Sequence, residues 1–127
     1  MSTADTYMAL AEECLREAKV LCENNLFRGS CGRSYYAYFD GVRALLASKG
    51  IVTKSHSAAR GLFSEHFIKE GPFTKKDASL LNRLFLLRQA GEYEADEELS
   101  EEDASTSIAV AAEFILQVEA YLRTTIP

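Results

Sequence analysis

The chain lacks most of the features by which a sequence declares its chemistry. It holds three cysteines and two histidines in 127 residues, with no Cys-x-x-Cys and no Cys/His spacing of the kind that builds a zinc site. Cys14 and Cys22 stand eight apart on an expected helix, about 12 Å along its axis and too far to bridge; Cys31 is alone. All three read as small buried thiols of a reducing compartment. His56 and His66, ten residues apart on one expected helix, are separated by about 15 Å and cannot share a metal. Each reads either as a partly buried or capping side chain or as a general acid–base near neutral pH. No Walker loop, GxGxxG, HExxH or GxSxG occurs, and the acids of "EYEADEELSEED" lack the order of a calcium loop. Neither a metal nor a cofactor is expected.

Long apolar runs are missing too. None approaches the ~18 residues that span a bilayer, and "MSTADTYMAL", with Asp5 and no basic stretch, does not read as a signal peptide. A cytoplasmic chain with no membrane contact is expected. No strand-like alternation, repeat or low-complexity tract is visible.

What is present is helical periodicity from end to end, in one expected domain, 1–127. Apolar residues make up 47% and charged residues 26%, ordinary for a globular chain. Tyr7, Ala11, Cys14, Leu15, Ala18, Leu21 and Cys22 recur at three and four in the first segment. After "NNLFRGS" a second helix runs from about Ser30 to Lys49 and stops at Gly50, a glycine cap. Ser55 caps a third, shorter helix holding Leu62, Phe63 and Phe67, closed by "EGPF". Thr74 with Asp77 starts a fourth, which Gly91 ends, and Ser100 with Asp103 starts a fifth. Glu101, Glu102 and Asp103 fall in that helix's first turn, where the dipole favours acids. The economical architecture is all-α, an antiparallel up-and-down bundle of four to five helices.

Charge is unevenly spread. Residues 1–24 net −3, residues 25–91 hold eleven bases against four acids, and residues 92–127 hold ten acids against one base. The basic middle either presents a positive field to an anion or is neutralised by packing against the acidic ends. In the second helix Arg33, Tyr36, Asp40 and Arg43 form a polar-aromatic stripe beside the core stripe of Tyr35, Tyr38, Val42, Leu45 and Leu46, with Asp40 placed to pair with Arg43. Such a stripe serves an interhelical or dimer contact, or lines a groove for an anion or RNA. Arg88 shares a face with Leu81, Leu84 and Phe85. It needs an anionic partner there: either Glu92, four residues on, or a phosphate, with Tyr93 one turn beyond.

Three stretches, "GRSYYAYFDGVRALLASKG", "KSHSAARGLFSEHFIKEGPF" and "LLNRLFLLRQAGEYEADEELSEED", together with the last helix, resemble the HEPN domain proteins, in particular small stand-alone prokaryotic members. The resemblance covers nearly the whole chain. It implies a HEPN-like bundle that dimerises, often partnered with a minimal nucleotidyltransferase in toxin–antitoxin pairs. Active members are metal-independent RNases marked by an Arg followed, after four to six residues, by a His. Arg88 matches the arginine; Gln89, Ala90, Gly91 and Glu92 intervene; Tyr93 stands at the histidine position. A tyrosine with an ordinary pKa near 10 is a poor proton shuttle at neutral pH, and losing the shuttle costs on the order of 10²–10⁴ in rate. The expectation is therefore a module that binds RNA, a nucleotide or a nucleotidyltransferase at a cleft lined by Arg88 and Tyr93, with Arg33, Tyr36, Asp40 and Arg43 in its wall, of toxin–antitoxin or stress/defence type. An active endoribonuclease and a purely structural helical dimer are the alternatives.

Overall fold

A computed structural model describes residues 2–93 and 98–125; residues 94–97, inside the acidic run, lie outside it. Five α-helices follow in order: α1 (Thr3–Glu23), α2 (Phe27–Ser48), α3 (His56–Phe63), α4 (Lys75–Tyr93) and α5 (Glu101–Thr125). No strand occurs among the described residues, and none of their helices is long and apolar enough to cross a membrane. The chain is an all-α bundle.

The helix starts are made by short polar side chains. Ser55 Oγ accepts the Ala58 N–H at 3.1 Å, and Ser100 and Asp103 exchange reciprocal bonds at 2.9 and 3.1 Å. Asp77 accepts from both the N–H and the hydroxyl of Thr74. Ser2 and Asp5 build a further capping box ahead of α1. Gly50, at φ 77°, ends α2 as its position promises: its N–H reaches Ala47 O, and Ile51 N–H reaches back to Leu46 O.

Two boundaries differ from expectation. α2 begins at Phe27 rather than near Ser30, because the turn after α1 closes on backbone alone. Asn25 takes a left-handed φ of 61° and Leu26 N–H bonds Leu21 O, so no side-chain cap announces the helix. α4 runs through Gly91 to Tyr93. Gly91 is a close-approach position: an added Cβ would lie 3.0 Å from both Arg28 Cγ and Leu99 Cδ1. The third helix also continues into a π-helical turn, Ser64–Ile68, that nothing in the residue pattern marks.

α2 is the central element, packed against α1, α3, α4 and α5. From Ser30 to Leu46 it is buried except along the stripe of Arg33, Tyr36 and Arg43, with small residues (Ser30, Gly32, Ser34, Ala37, Gly41, Ala44) letting its neighbours close in. Toward α1 it meets Ala11, Cys14 and Ala18, and Ser30 Oγ donates to Ala18 O at 2.7 Å. Toward α5 it meets a dry aromatic layer in which Tyr38 and Phe114 stack with centroids 3.8 Å apart, flanked by Phe63 and Phe73. Each such ring contributes roughly 1.5–3 kcal/mol by leaving water. α2 is thereby a fixed post, and what projects from its remaining side, toward α3 and α4, is held rigidly.

Candidate functional site

That side carries Tyr35, Tyr36 and Phe39, which successive turns of α2 set against the first residue of α3, His56, and the α4 residues Phe85 and Arg88. Tyr35 is wholly buried and touches the rings of Tyr36, Phe39, His56 and Phe85 at centroid distances of 5.3, 5.9, 5.7 and 5.7 Å. Onto this strip of rings four arginines fold. Arg88 lies 5.1 Å from the Tyr36 centroid and 5.6 Å from that of Tyr35, and Arg33 covers Tyr36 at 5.1 Å. Arg60 lies over Phe85 at 4.4 Å, and Arg43 reaches Phe39 at 5.6 Å and Tyr7 at 4.2 Å. Each cation–π contact contributes about 0.5–1 kcal/mol at half-exposed sites, enough to fix the guanidinium planes.

Arg88 is the most enclosed of the paired cations that face this shelf, with its side chain 14% exposed. Its Nη2 lies 3.2 Å from Glu92 Oε2, so the internal salt link that the i, i+4 spacing allows is made. The link takes one edge of the fork. Nε is buried and has no partner, an uncompensated donor of the kind that costs ~1–3 kcal/mol. The Glu92 side chain is 37% exposed. Tyr93 is 70% exposed, with its ring 6.0 Å from the Arg88 guanidinium.

His56 reads from the sequence either as a partly buried or capping side chain or as a general acid–base. In the structure its ring stacks on Phe39 at 4.2 Å and its Nδ1 lies 2.6 Å from Tyr35 Oη. Burial first, then the fields of Arg88, Arg43 and Arg60, push its pKa below the usual histidine value. The Tyr35 hydroxyl goes the other way: burial holds it up to about 12, so it stays neutral.

Of the residues singled out from the sequence, Arg33, Tyr36, Arg88 and Tyr93 come together, and Arg43 joins at the far end through Phe39. Asp40 does not line the shelf. It is 6% exposed and faces the α1–α2 seam, where Arg43 Nη1 lies 3.4 Å from one carboxylate oxygen and Cys14 Sγ 3.9 Å from the other. Burial pushes its carboxyl up to about 6, against the pull of Arg43. Tyr35, assigned to the core by its stripe, and Arg60 are the further members that spacing could not find. Their partners lie on other helices.

Among the described residues no three His, Cys, Asp or Glu side chains converge as metal ligands would. A separate cleft of about 860 Å³ lies between the start of α4 and α5, lined by Tyr38, Phe73, Leu80, Val110, Phe114 and Tyr121; none of the shelf residues borders it. The shelf itself is open, with stacked rings, convergent cations and one imidazole. It suits a phosphate ester with an attached planar base.

A family model described as the HEPN domain matches residues 4–121. A Thermotoga maritima protein named "UPF0332 protein" is 36% identical over 86% of this chain and 83% of its own length. A Methanocaldococcus jannaschii protein named "Putative toxin MJ0605" is 32% identical over 90% of this chain and 84% of its own. Among solved structures, TT1696 from Thermus thermophilus superposes with a TM-score of 0.79 over 94% of this chain and 98% of its own, at 16% identity, a likeness of fold.

Proposed function

The chain belongs to the HEPN domain family, and on that premise we propose that it is a toxin-type module that binds RNA through the Arg88 shelf. The observation that carries this is the Arg88 guanidinium: laid against the rings of Tyr35 and Tyr36, bonded to Glu92 along one edge, and still partly open to solvent. A phosphate oxygen entering beside Glu92 would meet the part of the Arg88 guanidinium that stays open, its side chain being 14% exposed, by a charge-assisted bond. Arg33 stands across Tyr36 to add charge. Tyr93 offers an exposed ring for base stacking, worth about 1–3 kcal/mol per base, and a hydroxyl. The relatives named as toxins favour the same reading.

In this reading a second copy packs over the exposed face of α4 that carries Leu86 and Tyr93, seven residues apart, so that two shelves face one seam. A minimal nucleotidyltransferase acts as the antitoxin partner in the cytoplasm. Fluorescence anisotropy with a single-stranded RNA in EDTA tests the binding: Arg88→Ala should abolish it, and equal affinity in both proteins would refute it. Sedimentation of Leu86→Glu tests the dimer, which should fall to monomer.

A further inference from the structure

Tyr93, at the position where the resemblance puts a histidine, leaves that place without an imidazole. His56 supplies one on the same shelf. Its ring is clamped, stacked on Phe39 with planes 8° apart and edge-on to Tyr36 at 6.0 Å. Arg88 and His56 lie against the same two tyrosines, at 5.6 and 5.7 Å from Tyr35 and at 5.1 and 6.0 Å from Tyr36. Nδ1 is held by Tyr35 Oη at 2.6 Å, whereas Nε2 has no hydrogen-bond partner among the described residues and is not sealed from solvent. A hydroxyl can donate to the Nδ1 of a neutral imidazole and accept from the Nδ1–H of an imidazolium. One bond therefore keeps the ring oriented in both protonation states and leaves Nε2 to exchange the proton. A half-buried ring clamped at one nitrogen and open at the other is more than helix capping requires; the α3 cap is already made by Ser55.

We infer that His56, positioned by Tyr35, is the general acid–base residue of this shelf and cleaves the RNA strand held at Arg88. The inference rests on the RNA-binding reading and deepens it. As the ribose 2′-oxygen attacks phosphorus, its proton passes to Nε2. The bond from phosphorus to the 5′-oxygen breaks with its electron pair, and the departing oxygen takes the proton back from the imidazolium. A 2′,3′-cyclic phosphate and a 5′-hydroxyl result, with nothing else consumed. Arg88 stabilises the added charge on the non-bridging oxygens. The groups facing His56 are Tyr35, Tyr36 and Arg43 on α2, Arg60 on α3 and Arg88 on α4. The charged ones are all cations, and after burial, the larger cause, they favour the neutral imidazole that a base must be.

The experiment follows a labelled single-stranded RNA, incubated with the full chain in EDTA from about pH 5 to about pH 8, across the histidine range. The expected products carry cyclic phosphate ends. His56→Gln should bind RNA as the wild type does yet cleave it slower by about 10²–10⁴, and Tyr35→Phe, which keeps the ring and its volume, should move the acid limb of the rate profile. RNA bound through Arg88 but left equally intact by wild type and His56→Gln overturns the acid–base role while the binding reading stands. RNA binding indifferent to Arg88→Ala overturns both. Should His56→Gln fail to fold, an acid limb that Tyr35→Phe leaves in place overturns the role of the pair.

Discussion

Tyr35 and Tyr38 sit one turn apart on the same helix, both wholly buried, and the protein uses them in opposite ways. Tyr38 faces α5, stacks on Phe114, and donates its hydroxyl to the Asp77 carbonyl at 2.8 Å. That acceptor cannot titrate, so the bond only locks the start of α4 to the post. Tyr35 faces α3 and α4, and its hydroxyl meets His56, a titratable group that burial and neighbouring arginines hold below the usual histidine pKa. On the α5 side the Tyr38 and Phe114 rings are closed off from solvent and, among the described residues, carry no cation over them, although they border the cleft that Lys76, Asp77 and Glu113 also line. The other side has the same ring chemistry with cations laid over it. Stability and function are thus divided between two faces of α2.

The sharpest way to break that division is on the dry side. Phe114→Ala removes the stack on Tyr38 and edge contacts to Phe63 and Phe73. It should cost about 3–5 kcal/mol in urea unfolding, with RNA affinity per folded molecule unchanged. Gly41→Ala is next. Its Cβ would stand 3.0 Å from Phe114 Cε2 and 3.2 Å from Cδ2, in a ring held flat against Tyr38. A loss of about 1–3 kcal/mol from overpacking should outweigh a helix-propensity gain of at most about 1 kcal/mol. Smaller still, Tyr38→Phe should cost about 0.5–1.5 kcal/mol for one hydrogen bond and leave any pH dependence alone.

Acid titration sharpens the comparison from the polar side, since two groups act there with opposite sign. His56 has a lowered pKa, so its contribution to stability is full above the unfolded value near 6.5 and is lost as pH falls through the folded value. Asp40 is raised from 3.8 to about 6, so its contribution is full below the unfolded value and is lost as pH rises through about 6. Urea midpoints taken against pH should therefore fall more steeply on acidification in Asp40→Asn, and less steeply in His56→Gln, than in the wild type. Identical slopes in all three would remove both assignments.

Much of the frame was legible because it is local. Periodicity placed five helices. The Ser55, Thr74–Asp77 and Ser100–Asp103 starts are made as their spacing promised, and so are the Asp40–Arg43 and Arg88–Glu92 pairs at i+3 and i+4. What was hidden is either backbone-only, like the left-handed Asn25 that lets α2 begin at Phe27, or non-local. Gly91 carries the signal of a helix end and serves a helix crossing instead. His56 meets Tyr35 across 21 residues and Arg60 meets Phe85 across 25, distances over which no periodicity reports. Asp40 fitted a polar stripe by spacing, but that stripe wraps from the shelf into the α1 seam.

The central claim is that Arg88 holds a phosphate rather than merely closing a link to Glu92, and the most direct measurement compares RNA affinity and stability in Arg88→Ala and Glu92→Gln. The account predicts that Arg88→Ala loses RNA binding per folded molecule, beyond whatever stability goes with its Glu92 link and ring contacts. Glu92→Gln, freeing the guanidinium, should bind RNA at least as tightly as the wild type. Binding retained in Arg88→Ala, or lost equally in both, would contradict it.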